Sequence, residues 1–184
     1  MLVTLMLSSM AIVREKEIGT IEQIIVTPIT RAEFILGKTI PFAIIGFLDV
    51  VLITVVAVFW FDVPIQGSLG LLFAATALYL MCTLGTGLLI STISRTQQQA
   101  MMSTFFIFLP AVLLSGFMFP IANMPTTVQW FTFLNPLRYF LVILRGIFLK
   151  GVGPEVLWPQ MAALAALGSM MLLIATRRFK KTLA

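Results

Sequence analysis

REKEIGTIEQIIVTPITRAEFILGK, residues 14–38, is the longest polar interruption in a chain that otherwise reads as membrane. Eight charged residues fall in it: Arg14, Glu15, Lys16, Glu17, Glu22, Arg31, Glu33 and Lys38. On a helix at about 100° per residue, Ile18, Ile21, Ile24 and Ile25 share one arc. Gly19, Thr20, Gln23 and Thr27 lie opposite, with Glu22 at the border. Pro28 ends that helix, because the residue before a proline is pushed out of the α region. A short amphipathic helix between apolar runs lies along a membrane surface or docks into a groove of a soluble partner. In the plainer reading it only anchors the neighbouring spans.

Composition sets the class. The 184 residues are 60% apolar and 10% charged with a mean hydropathy of +1.08, which excludes an ordinary soluble domain. Apolar runs of about 20 residues recur, each long enough to cross a hydrocarbon core of roughly 30 Å. The net charge of +5 gathers at one membrane face, so no nucleic-acid partner is implied. The lone cysteine, Cys82, permits no intrachain disulfide. With no histidine and few carboxylates, a zinc site or a histidine-based triad is excluded, and no cofactor is expected.

The pattern predicts an all-α polytopic bundle. Residues 1–13 read as a partial span whose beginning is absent, without the basic flank and cleavage site of a signal peptide. Residues 39–61 form a complete span with Trp60 as interfacial anchor. Asp49 lies within it, a costly intramembrane acid that marks either a polar functional site or an interior, partner-bonded group. Residues 68–93 form the next span, where Thr83, Gly87 and Ser91 stand four apart as a small-residue ridge suited to close helix approach. Residues 100–119 form a third span with Pro110 near its middle as a kink site. Residues 156–176 form the fourth, with Pro159 in its first turn and small-residue pairs Ala162/Ala166 and Ala165/Ser169. A tail, 177–184, carries Arg177, Arg178, Lys180 and Lys181.

Between the third and fourth spans, residues 120–151 are broken by Pro120, Asn123, Pro125, Asn135 and Pro136. The helical run Leu137–Leu149 holds Arg138 and Arg145 seven apart on one face and is too short and too charged to cross. It reads as a re-entrant hairpin, tolerable at depth only where protein or a water-filled cavity covers it. The alternative is a surface-lying helix. Three spans then place the 14–38 and 120–151 segments on opposite sides. The first side holds nine basic residues (Arg14, Lys16, Arg31, Lys38, Arg95, Arg177, Arg178, Lys180 and Lys181) against Arg138, Arg145 and Lys150 on the second. The excess assigns the first side, with the amphipathic helix and the C-terminus, to the cytoplasm.

Gly37-Lys38-Thr39 imitates the end of a phosphate-binding loop, but position 32 is Ala where that loop needs Gly, and the segment enters a span. Nucleotide binding by this chain is not expected.

REKEIGTIEQIIVTP followed by R-x-E-x-x-x-G-K resembles the cytoplasmic coupling-helix region of ABC-2 type transporter permeases, bacterial multidrug and export members above all. SGFMFPIANMP and the later NPLRYF are similar to that family's extracellular re-entrant region. The family has six spans, so the resemblance implies the C-terminal part of such a permease, lacking the first span and an extracytoplasmic domain. It also implies an inner-membrane export subunit for a drug, lipid or other amphiphile, with ATP hydrolysis on a separate ATP-binding subunit. The coupling helix, Glu17 to Val26, would rest on that subunit through Glu17, Gly19, Thr20, Glu22, Gln23, Thr27 and Pro28, with Arg14, Glu15 and Glu17 as ion-pair formers. A second permease, as homo- or heterodimer, membrane lipid and a periplasmic adaptor complete the implied partners. Pro120, Asn135, Pro136, Arg138 and Arg145 would belong to the re-entrant mouth. Two other readings stand beside it: a non-transporting fragment or scaffold of a full-length permease, and an ion-coupled transporter using Asp49.

Overall fold

The computed structural model describes residues 1–19 and 31–178, all of whose regular elements are helical. α1 (Leu2–Ile18) runs five residues beyond the apolar segment expected to end at Val13. Gly19 closes it in the left-handed region at φ 83°, its N–H returning to the carbonyl of Glu15 at 3.1 Å. A residue without Cβ adopts that conformation at little cost, which is why the helix stops here. Glu17 and Ile18 therefore belong to α1, not to the amphipathic helix expected over 18–27, and residues 20–30 lie outside the described residues.

α2 (Arg31–Phe59) begins eight residues earlier than expected, carrying Glu33 in its first turn, where an acid meets the positive end of the helix dipole. α3 (Leu69–Ile93) matches its expected span. α4 (Gln97–Leu113) departs from expectation. Thr96 caps its start by accepting from the Gln99 N–H at 3.2 Å, and it ends six residues before Phe119. The sequence stays apolar there, but Ser115 Oγ donates to the Val112 carbonyl at 2.6 Å and Gly116 turns left-handed at φ 81°. Pro110 thus sits in the last turn rather than mid-span. α5 (Thr126–Thr132) and α6 (Pro136–Arg145) follow, α6 continuing into a π-helical turn (Gly146–Lys150). α7 (Pro154–Arg178) starts two residues early, so Pro159 falls beyond its first turn.

Among the described residues three helices are long and apolar enough to cross a membrane: Glu33–Phe59, Leu69–Ile93 and Pro154–Arg178. The bent pair Thr126–Thr132 and Pro136–Lys150, which meet at 82°, makes up to four. The 17 residues of α4 fall short of a full crossing by this measure, against the complete span expected over 100–119. The chain is a helical, multi-pass membrane protein.

α3 is the hub. Its most apolar stretch is 61% buried inside the protein, against 17% for α7 and 6% for α2. Small residues make this possible, because contact in lipid is driven by packing rather than by water exclusion. A Cβ added to Gly87 would collide with Ser8 Oγ of α1. One added to Gly85 would lie 3.0 Å from Met171 Cβ, and one on Gly168 3.0 Å from Met81 Cβ. The ridge expected from Thr83, Gly87 and Ser91 is indeed the face that receives α1: Ser91 Oγ accepts from the main-chain N–H groups of Ile12 and Val13 at 2.9 and 3.0 Å. The small-residue pairs expected on α7 do not pack this way. Ala166 and Ser169 are exposed, and α7 instead buries Leu157, Leu164, Gly168 and Ala175, because Gly168 admits the closer approach.

Candidate functional site

Two sets of polar contacts tie the helices together, one at each end of the bundle's polar segments. At the first, the end of α1, the start of α2 and the α3–α4 turn are tied together. Lys38 Nζ pairs with Glu15 Oε1 at 2.5 Å, joining α2 to α1. Gln97 Nε2 donates to Glu17 Oε2 at 2.7 Å, and Lys16 Nζ donates to the Thr92 carbonyl at 3.0 Å, joining α1 to the α3–α4 turn. Partial burial of the Lys16 ammonium lowers its pKa, since desolvation disfavours the charged form. Gln99 Oε1 accepts from the Arg95 N–H at 2.8 Å and fixes the turn itself. Residues 20–30 connect two helices, α1 and α2, that this lattice holds in register.

Of the coupling residues expected from sequence, the structure places Glu17 and Gly19, while Thr20, Glu22, Gln23, Thr27 and Pro28 lie outside the described residues. Glu15 and Glu17, expected to reach a partner, are engaged within the chain by Lys38 and Gln97. The spacing gave no hint of this, because Gln97 is 80 residues away. Arg14 is exposed.

The second end is built from the broken segment. Pro120 precedes a 3₁₀ turn, Ile121–Asn123, and Pro136 occupies the start of α6, where its missing N–H costs no helical bond. Asn135 caps α6, its Oδ1 accepting from the Leu137 N–H at 3.1 Å, while its Nδ2 donates to the Ala111 carbonyl at 2.6 Å. Arg138 turns back into the elbow between α5 and α6: Nη1 donates to Thr132 Oγ1, and the guanidinium lies 4.2 Å from the Phe133 ring centroid. Tyr139 OH donates to the Phe133 carbonyl at 2.9 Å. Arg145 reaches instead to the Gly116 carbonyl at 3.1 Å. Asn135 and Arg145 therefore fasten the bent helix pair onto the end of α4 and the turn after it, while Pro136 and Arg138 shape the elbow within the pair.

Asp49 is half-buried on α2 with no hydrogen-bond partner among the described residues. No cluster of three or more metal-binding side chains occurs among them either. Two attachments escaped the sequence. Thr104 Oγ1 of α4 donates to Ser9 Oγ of α1 at 3.0 Å, and Cys82 Sγ donates to the Leu164 carbonyl at 3.3 Å. Each joins residues more than 80 positions apart, where no local pattern signals a contact.

The family model described as ABC-2 type transporter matches residues 1–149. The probable multidrug ABC transporter permease YbhS of Escherichia coli K12 is 41% identical over 178 residues, 96% of this chain and 47% of that protein. YbhR of the same strain, with the same description, is 34% identical over 169 residues, covering 90% and 46%. The inner membrane transport permease YhhJ is 33% identical over 186 residues, covering 99% and 49%. The chain spans about half the length of these curated relatives.

Proposed function

The chain belongs to the ABC-2 type transporter family, and on that premise we propose that it is a transmembrane permease subunit of an ATP-driven exporter in a bacterial inner membrane. It carries a drug, lipid or other amphiphile, and a separate ATP-binding subunit hydrolyses the nucleotide. A second permease completes the pathway, as a homo- or heterodimer. The 20–30 segment is the coupling element on the cytoplasmic side, together with the C-terminus, and Glu22, Gln23, Thr27 and Pro28 meet the ATP-binding subunit.

The observation that carries this reading is the lattice beside that segment. Force applied between Gly19 and Arg31 enters α1 and α2 together, because Lys38 and Glu15 join them. It passes to α3 and α4 through Lys16–Thr92 and Glu17–Gln97. A lever needs contacts that carry its motion to several helices at once, and these three join the helices on both sides of the segment. The fastened hairpin at the far end then stands at the outer mouth, supported by Asn135 and Arg145.

The test combines co-purification with activity. The wild-type permease is expected to retain an ATP-binding subunit and to stimulate its ATPase. Glu22→Arg and Gln23→Pro are expected to abolish export and stimulation while membrane insertion survives. Undiminished export in both variants would overturn the proposal.

A further inference from the structure

A cavity of about 350 Å³ lies between the second half of α2 and the α6 segment. That size is within the range of small-molecule sites. Val50, Ile53, Thr54 and Ala57 supply one wall at spacings of three and four, a single helix face. Phe140, Leu144 and Phe148 supply the other, again four apart. Thr54 adds no polarity, because its hydroxyl is turned back to the Val50 carbonyl at 2.7 Å. The groove opens sideways: Ile53 is 64% exposed and Leu149 63%. Beside a bilayer that opening faces acyl chains.

One charged residue lines this apolar wall, Arg145. Its guanidinium donates through Nη2 to the Gly116 carbonyl and has no carboxylate partner among the described residues. The fork carries five N–H donors, so most remain for another acceptor. The acids beside the lining in sequence, Asp49 and Asp62, do not line it. The height in the membrane is also suitable. Arg145 is at the end of the bundle where α2 finishes, marked by Trp60 and Trp158 at 83% and 69% exposure, and exposed tryptophans favour the headgroup level.

The geometry points to a lateral site for an anionic phospholipid, with an acyl chain in the α2–α6 groove and its phosphate on Arg145. A phosphate oxygen pair matches the guanidinium fork, whereas an uncharged detergent or a neighbouring apolar helix would leave the cation unmatched. The assignment rests on the membrane setting alone and stands whether or not the chain exports anything.

The experiment is native mass spectrometry of the full chain released from micelles containing equimolar phosphatidylglycerol and phosphatidylcholine. Both lipids offer the phosphate, but the choline ammonium of phosphatidylcholine sets a like charge beside the guanidinium, so the expected result is preferential retention of phosphatidylglycerol by about five-fold, the scale of one screened charge repulsion. Arg145→Gln is expected to remove the preference and Arg145→Lys to keep part of it. Ala57→Trp, which fills the groove without touching the cation, is expected to reduce retention of both lipids. Equal retention of the two lipids by the wild type would overturn the site. So would a preference unchanged in Arg145→Gln, or phosphatidylglycerol retention undiminished in Ala57→Trp, which would place the lipid on the general surface.

Discussion

Asn135 and Ala111 are joined by a 2.6 Å hydrogen bond from the side-chain Nδ2 to the main-chain carbonyl, across 24 positions of sequence. The same side chain caps α6 through its Oδ1. One residue therefore satisfies an orphan N–H at the start of one helix and a carbonyl at the end of another, both groups that lipid would leave unpaired.

Asn135→Ala is expected to lower stability by about 1–2 kcal/mol for the cap alone, and by more once the Ala111 carbonyl is orphaned. Asn135→Asp keeps the cap acceptor and loses the donor, so it should fall between wild type and alanine. Thermal unfolding of the detergent-solubilised chain checks the order. Equal melting of all three forms would contradict the double role.

Gly87→Ala and Gly37→Ala should act in opposite directions. A methyl at Gly87 meets Ser8 and lies 3.0 Å from the Leu5 carbonyl, so α1 must move away, at a cost of about 1–3 kcal/mol. A methyl at Gly37 meets nothing within 4 Å among the described residues and relieves the entropy of a helical glycine, a gain of up to about 1 kcal/mol. The same melting assay reports both signs.

Much of the architecture was legible because apolar length alone separates spans from loops, and because Pro120, Asn135 and Pro136 announce the broken segment. The Thr83–Gly87–Ser91 ridge was legible as a packing face. The end of α4 was not: Leu114, Phe117 and Phe119 continue the apolar run, while the stop is made by Ser115 and Gly116 after the chain has turned. Nor was the choice of Gly168 over the alanine pairs on α7, since which face packs is decided by the neighbouring helix, here Met81 and Cys82. The contacts of Glu15 with Lys38 and of Glu17 with Gln97 were not legible either, because they form only in three dimensions.

Lys38→Glu is expected to weaken the joint between α1 and α2, and Glu15→Lys combined with it to restore it. Lys38 and Glu15 keep 35% and 20% of their side-chain surface in solvent, so the pair is worth less than about 1 kcal/mol. The larger expected effect is on stimulated ATPase, measured with the cognate ATP-binding subunit. Loss in the single variant and recovery in the double one is the expected pattern.

Cys82 should resist alkylation. It is fully buried against α7, its Sγ directed at the Leu164 carbonyl. Maleimide labelling of the folded chain is expected to be negligible and to become complete on denaturation; rapid labelling in the native state would contradict the α3–α7 packing.

Photocrosslinking from position 23 tests the coupling role most directly. Gln23→Cys, in a Cys82→Ala background and carrying a benzophenone maleimide, is irradiated in inverted vesicles with the co-expressed ATP-binding subunit. The expected product is a covalent adduct of the two polypeptides, with the cysteine modified from the cytoplasmic face. Modification only from the outer face, or no adduct with a co-purifying ATP-binding subunit, would contradict the coupling assignment.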